Sequence, residues 1–410
     1  MFMERGLAGP IATALGDTPV VVVAGPRQAG KSTLCRRTVE DRGGRWVDLD
    51  DRSTLDAALT DPVGFVADMG GLVGIDEAQR APELLLAIKA EVDRNRGPGR
   101  FLLTGSTRLL GSPRLADSLA GRMEALTLWP FVQTELEGTG GGGGVIDAAF
   151  AGELTSVRAP AVSRAAVVER AASGGYLPAL ERSGRRRDSW FDSYVSGVID
   201  REVRALTDAV YLRELPRLLR LLASRTSGEM NVADVARDLG LSRPTATAYI
   251  GHLESVFLVQ AVPAWSTNLT SRVVRRPKVA LTDTGLAARL LGGRLRSDGE
   301  LAGRLLETFV TNELRAQAEW SVSKPGLFHF RDRDGAEVDL VLESPDGRVV
   351  GVEVKASATV RSADLGGLRL MEQRLGGDWV GGLVLCTVPA PTHLGGRIWA
   401  LPFSALWSGP

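Results

Sequence analysis

The sequence predicts an α/β protein: an N-terminal parallel sheet covered by helices on both faces, then helical segments, then a smaller α/β module. Three observations predict it. Between Pro19 and about Leu128, short apolar runs alternate with longer amphipathic stretches, which is the pattern of βα units. Nearer the C-terminus, Asp-Gly pairs at Asp334 and Asp346 sit between alternating apolar and polar runs, the signature of antiparallel strands joined by tight turns. The length of 410 residues exceeds what one ordinary core encloses, so several domains are expected.

Taken in order, VVVVA, RWVDLD, GLVGID, RFLLTG and EALTLW read as five strands, the first four bounded by Gly, Pro or charged turns. Short, continuously apolar runs suit strands buried on both faces. The glycine run from Gly138 to Gly144 reads as a flexible linker or a surface insertion that ends the first domain. From about Ile146 to Leu206 the chain reads as a helical lid, with the turn GGYLP inside and a solvated helix end at Arg185, Arg186 and Arg187. VADVARDLGLSRPTATAYIGHLE gives a short helix, a turn at Gly240, and a second helix capped by Ser242 with Pro244 in its first turn. That is helix-turn-helix spacing, and the apolar run after it makes a wing. From about Trp265 the chain enters the hairpin stretch LFHFRDRDGAEVDLVLESPDGRVVGVEVKAS. The expected domains are therefore 1–137, 138–210, 211–264 and 265–410.

Composition excludes several classes. A formal charge of zero argues against a simple DNA-coating protein, so nucleic-acid contact would come from local basic surfaces. Cys35 and Cys386 lie far apart and form no CxxC pair, and three scattered histidines make a His-based metal site improbable. The N-terminus MFMERGLAGP lacks a basic and apolar leader, and no run approaches the roughly 20 apolar residues of a membrane span. A cytoplasmic enzyme without a membrane partner is the expectation.

GPRQAGKST fits GxxxxGK[ST] and stands between an apolar strand and a plausible helix, the context that gives the motif structural meaning. Gly25, Pro26, Arg27, Gln28, Ala29 and Gly30 would curl their amides around a β-phosphate, with Lys31, Ser32 and Thr33 opening the helix. Lys31 would reach the β- and γ-phosphates of ATP, and the Ser32 hydroxyl would ligand Mg²⁺. Only five of the 49 basic residues are lysines, and a compact ammonium suits such a site where a guanidinium does not.

GLVGIDEAQ supplies the acidic partner: Asp76 would hold the Mg²⁺ shell and Glu77 would polarise the attacking water. After the fourth strand, Ser106 or Thr107 could sense the γ-phosphate or serve as a plain polar cap. Arg122, just before the fifth strand, reads either as an arginine finger acting across a subunit interface or as a surface salt bridge.

On these residues the first domain resembles the AAA-type, additional-strand P-loop ATPases, with Glu77 in the role of their catalytic Glu. More narrowly, GPRQAGKSTL, IDEAQ, LLTGSTRLL and SLAGRMEALTLWPF are similar to one bacterial and archaeal group of ATP-binding proteins, whose C-terminal domain has long been described as of unknown function. GGYLP, LGLSRPTATAYIGHLE, PKVALTDTGLAARLLG, LLETFVTNEL and EVDLVL…VEVKAS follow that group in order and spacing. The resemblance covers nearly the whole chain, and it implies an ATP- and Mg²⁺-dependent hydrolase that assembles as a homo-oligomer, a hexamer among the candidates.

Asp339, Glu353 and Lys355 form a D…ExK constellation on two expected strands joined by a turn. Alternate strand residues share a face, so Glu353 and Lys355 project together. If the strands pair, Asp339 and Glu353 could share Mg²⁺ or Mn²⁺, with Lys355 orienting or deprotonating a water; solvated charges on an ordinary strand are the alternative. The arrangement resembles the PD-(D/E)xK nuclease fold of archaeal Holliday-junction resolvases, although Val338 precedes Asp339 where the motif has Pro. That resemblance implies a further metal-site Glu on the preceding helix, Glu307, and a Gln on the following one, Gln373.

For nucleic acid, Arg243, Thr245, Thr247 and Tyr249 would face a groove, and Arg272, Arg275, Arg276 and Lys278 would neutralise phosphates. The reading is an AAA-type ATPase that engages branched or junction DNA in repair or recombination, with nuclease activity left open. The rival is a nucleotide-dependent signalling or stress switch whose C-terminal domains bind protein.

Overall fold

A computed structural model of the chain describes residues 3–67, 69–106, 119, 121–139, 144–204, 212–292 and 299–408. Thr107 and residues 140–143 of the glycine run lie outside these. The chain divides into two compact units, one made of Arg5–Pro130 with Ser255–Phe257, the other of the remaining described residues.

In the first unit β1 (Val20–Ala24), β2 (Arg45–Asp48), β3 (Val73–Asp76), β4 (Phe101–Gly105) and β5 (Met123–Thr127) form one sheet in the order β2-β3-β4-β1-β5. Every pairing is parallel. These are the five runs read as strands from sequence. The valines of β1 explain the layering: Val20 and Val22 enter a core with β3, β4 and the helices α3 (Arg52–Thr60), α4 (Pro62–Ala67) and α5 (Pro82–Arg94). Val21 and Val23 enter the opposite core with α1 (Ala8–Asp17) and α2 (Lys31–Glu40). A strand buried on both faces has no polar position to spare, which is why β1 reads as an unbroken apolar run.

The second unit opens with α6 (Gly144–Ala151), α7 (Arg164–Ser173), α8 (Gly184–Val198) and α9 (Leu215–Ser224). Then α10 (Val232–Leu239) stops at Gly240, whose φ of 67° is the left-handed cap that favours glycine, and α11 (Arg243–Ser255) follows. The strands β6 (Val259–Val262) and β7 (Lys278–Leu281) pair antiparallel, with α12 (Leu269–Val274) between them. After α13 (Thr284–Leu291) and the long α14 (Glu300–Ala318) comes a six-stranded mixed sheet. Its strands are β8 (Gly326–Arg331), β9 (Glu337–Glu343), β10 (Val349–Val354), β11 (Trp379–Cys386), β12 (Thr392–His393) and β13 (Ile398–Pro402), with α15 (Gly366–Leu375) before β11. The order is β12-β13-β11-β10-β9-β8. Strands β8, β9 and β10 are antiparallel, turning at the two Asp-Gly pairs, whereas β10, β11 and β13 run parallel.

Buried polar groups tie the second unit together. Both oxygens of the buried Glu313 carboxylate, on α14, accept the Gln133 N–H at 3.0 Å. Cys35 and Cys386 are free and buried. Among the described residues no helix is long and apolar enough to cross a membrane.

Candidate functional site

Because the first sheet is parallel and its strands end nearly level, chemistry gathers at one edge. Ala24 lies opposite Gly105 and Ile75 opposite Leu103, so Asp76, the last residue of β3, stands there with Gly25, Glu77 and Ser106, each of which follows a strand end. Ligands of open α/β sheets bind at that carboxyl edge.

The loop after β1 is held open by its backbone. Gly25 has φ of 149°, and a Cβ on it would come 2.1 Å from the Leu128 carbonyl oxygen. Gln28 is left-handed at φ 65°, and Gly30, at φ 93°, leads into α2. The first amides of that ten-residue helix lack intrahelical partners. Lys31 is buried, and its ammonium donates to the Gly25 and Pro26 carbonyls at 2.9 Å each. Ser32 is half-buried beside it, and Thr33 is exposed. A buried ammonium, the amides of a helix N-terminus, a hydroxyl and a buried carboxylate form a donor set that fits a nucleoside triphosphate with Mg²⁺. Lys31 and the loop would hold the phosphates, and Ser32 with Asp76 the ion.

Asp76 is buried, and its Oδ1 accepts the Thr104 hydroxyl and the Glu77 N–H. Glu77 is a non-glycine residue in the left-handed region, at φ 52°, a strained geometry that persists where surroundings enforce it. Its Oε2 accepts the Gln79 amide, and the Ser106 hydroxyl at 3.4 Å. The Gln79 amide also reaches Ser106 at 3.3 Å. Sequence reasoning assigned no role to Gln79 or Thr104, although both stand inside the quoted motifs IDEAQ and LLTGS. Arg5 was missed as well: buried, it donates to the Ala29 and Trp129 carbonyls, a link that no local pattern reveals.

Arg122 is not at this edge. Its carbonyl accepts the Val20 N–H, at the start of β1, and its guanidinium pairs with Asp93 at 2.6 Å. One strand length of about 17 Å separates it from the loop on its own sheet.

In the second unit the pairing of β9 with β10 brings Asp339 beside Glu353: the Val354 N–H donates to Asp339 Oδ2 at 2.9 Å. Glu353 is buried, and burial together with the Asp339 charge holds its carboxyl well above the usual range. Lys355 lies 3.4 Å from Glu353 and 3.9 Å from Asp364. Burial alone would lower its pKa, but Glu353, Asp339 and Asp364 raise it. An ammonium held charged in this way is suited to orienting a water. Glu307, on α14, joins the cluster through Lys278: that ammonium is 2.7 Å from Glu307, 2.8 Å from Glu337 and 3.7 Å from Asp339. Among the described residues no three His, Cys, Asp or Glu side chains are placed to hold a metal ion. Gln373 is exposed on α15.

The expected nucleic-acid residues divide. Arg243 and Thr247 are exposed on α11, Thr245 is half-buried, but Tyr249 is buried, because its position on the helix faces the core. Arg272 is bound by both its η-nitrogens to Glu343 and stacks over Trp265 and Phe328. With Lys278 buried, neither is available for phosphate. Arg275 and Arg276 instead line a cleft of about 450 Å³ together with His329, Arg331, Arg333, Glu229 and Asp332.

Residues 17–137 match the model of an AAA domain. Residues 164–297 and 302–406 match two domains of unknown function, DUF8612 and DUF4143. Among solved structures, the Walker-type ATPase of Pyrococcus abyssi is 16% identical with a TM-score of 0.41, covering 71% of this chain and 96% of that one. The RuvB Holliday junction branch migration motor of Thermotoga maritima is 17% identical with a TM-score of 0.30, covering 64% and 91%. Uncharacterized protein Rv2008c of Mycobacterium tuberculosis and Uncharacterized protein Mb2031c of Mycobacterium bovis are each 31% identical over 369 residues, covering 87% of this chain and 74% of theirs. The chain therefore belongs to one family with these two mycobacterial proteins, and its residues 17–137, with the P-loop, the acidic pair and the parallel sheet that aligns them, form an AAA domain.

Proposed function

We propose that the protein hydrolyses ATP with Mg²⁺ at the carboxyl edge of the first sheet, and that nucleotide state governs how the second unit grips DNA. Branched or junction DNA, as handled in repair and recombination, is the favoured substrate. What carries the reading is the convergence of Lys31, Ser32, Asp76, Glu77 and Ser106 at one strand edge. Mg²⁺, when bound, neutralises charge developing on the phosphates. Lys31 and the loop amides bind the β- and γ-oxygens, Ser32 and Asp76 keep the ion, and Ser106 reports on the γ-phosphate. Glu77 accepts the proton of the water whose oxygen attacks the γ-phosphorus as the bond to the β-bridging oxygen breaks.

Arg122 is too far along its own sheet to serve the same site, so it would act on the site of a neighbouring subunit in a homo-oligomer, a hexameric ring being one form. The arginine-lined cleft and the exposed Arg243 and Thr247 supply phosphate contacts. The test is ATP turnover with and without a four-way junction, together with junction binding across a salt series. DNA-stimulated turnover and steeply salt-dependent binding are expected, and turnover indifferent to DNA, with no binding, would discard the DNA reading.

A second reading, an ATP-dependent signalling switch with a protein-binding second unit, is favoured by one observation. Leu269, Val273 and Val274 on α12 are 69%, 85% and 74% exposed, an apolar face of the kind proteins bury on partners.

A further inference from the structure

We infer that Lys278 is the resident cation of the C-terminal carboxylate cluster, filling from within the chain the place where a nuclease-type fold would bind a divalent ion. Three features carry this. The ammonium is 5% exposed and lies 2.7 Å from Glu307, 2.8 Å from Glu337 and 3.7 Å from Asp339. Two of those acids, Glu307 and Asp339, are the ones that the nuclease resemblance assigns to metal. The lysine itself comes from β7, within the segment matching one domain of unknown function, whereas all three acids lie in the segment matching the next.

An acidic cluster of this size cannot remain ionised in a buried place without a counter-charge. A divalent ion would need three or more oxygens at little over 2 Å in the space that the ammonium now takes. Burial alone would lower the Lys278 pKa, but the fields of Glu307, Asp339 and Glu337 raise it above that of a free lysine, so it stays charged. A hydrogen bond at 2.7 Å to Glu307 fixes the direction of the ammonium. The residues that would otherwise collect Mg²⁺ or Mn²⁺ are thereby committed to an internal ion, which also fastens the β6–β7 hairpin to α14 and β9.

The test uses the full chain without nucleotide. Mn²⁺ titrated into wild type and followed by electron paramagnetic resonance should give the same free-ion signal as with Asp339→Asn. Lys278→Ala should lower Tm by about 5 °C or more. Millimolar Mn²⁺ should recover that loss by binding one equivalent, and adding Asp339→Asn to the same chain should abolish the binding. Wild type binding Mn²⁺ in a way that Asp339→Asn removes would overturn the inference. So would a Lys278→Ala protein as stable as wild type, or a folded one that takes up no Mn²⁺.

Should that variant not fold, acetic anhydride labelling of wild type, read by mass spectrometry, decides, since only five lysines need resolving. Lys278 that stays protected with and without Mn²⁺ supports the inference, and Mn²⁺-induced labelling of Lys278 overturns it. None of these measurements reads ATP turnover or DNA binding, so failure here is separable from failure of the proposed function.

Discussion

Arg5 and Ala29 are joined by a guanidinium-to-carbonyl hydrogen bond of 2.5 Å, and the same guanidinium holds the Trp129 carbonyl at 2.6 Å. One buried charge thus braces the phosphate loop against the chain beyond β5. Arg5→Ala leaves two carbonyls without that donor, which should cost roughly 2–4 kcal/mol. Urea unfolding should register the loss, and calorimetry should register weaker ATP binding. Unchanged stability would refute the bracing role.

Glu77 is expected to act on water and not on nucleotide affinity. Glu77→Gln should lower kcat about 10²- to 10⁴-fold while ATP still binds. Lys31→Ala should abolish the binding itself. A Glu77→Gln enzyme with wild-type turnover would move the water-activating role to another residue.

Arg122 offers a sharper contrast. If it serves only the Asp93 pair, its removal costs under about 1 kcal/mol and leaves turnover intact, since both partners are substantially solvated. The expectation here is loss of turnover in Arg122→Ala, with partial recovery on mixing it with Lys31→Ala subunits, because mixed interfaces then join one intact loop to one intact arginine. Wild-type rates in Arg122→Ala alone would reject the finger.

His329 sets a pH dependence. It is 1% exposed, and burial, aided by the Lys278 charge, lowers its pKa to about 4. The folded chain therefore resists a proton that the unfolded chain accepts near 6.5. Stability should be complete above pH 6.5 and decline as pH falls toward 4, by roughly 2–3 kcal/mol. His329→Gln should flatten that slope in urea titrations at pH 7 and pH 5. An identical slope in wild type and variant would assign the effect elsewhere.

Local patterns carried the sequence reading far. Strands β1 to β4 were legible because turn or charged residues bound short runs, most of them apolar, and the phosphate loop because its glycines and lysine fall within one short motif. The facing of Asp339 and Glu353 followed from the single turn at Asp346 and Gly347 that joins β9 to β10. What stayed hidden is what long-range packing decides. Lys278 was read as a phosphate contact because it follows Arg275 and Arg276, although a chain so poor in lysine gives each one unusual weight. Arg272 looked equally available until its pairing with Glu343 placed it. Tyr249 lies only two residues from Thr247, yet on a helix that offset turns a side chain from solvent into the core.

The bond between Gln133 and Glu313 has a mechanical reading. It seizes the second unit's chain close behind Phe131 and anchors it to a rod of 19 residues, six positions from Glu307. A helix is stiff over such a length, so tugging on the backbone near residue 133 would be felt as a lever stroke at the acid cluster, with little slack lost along the way.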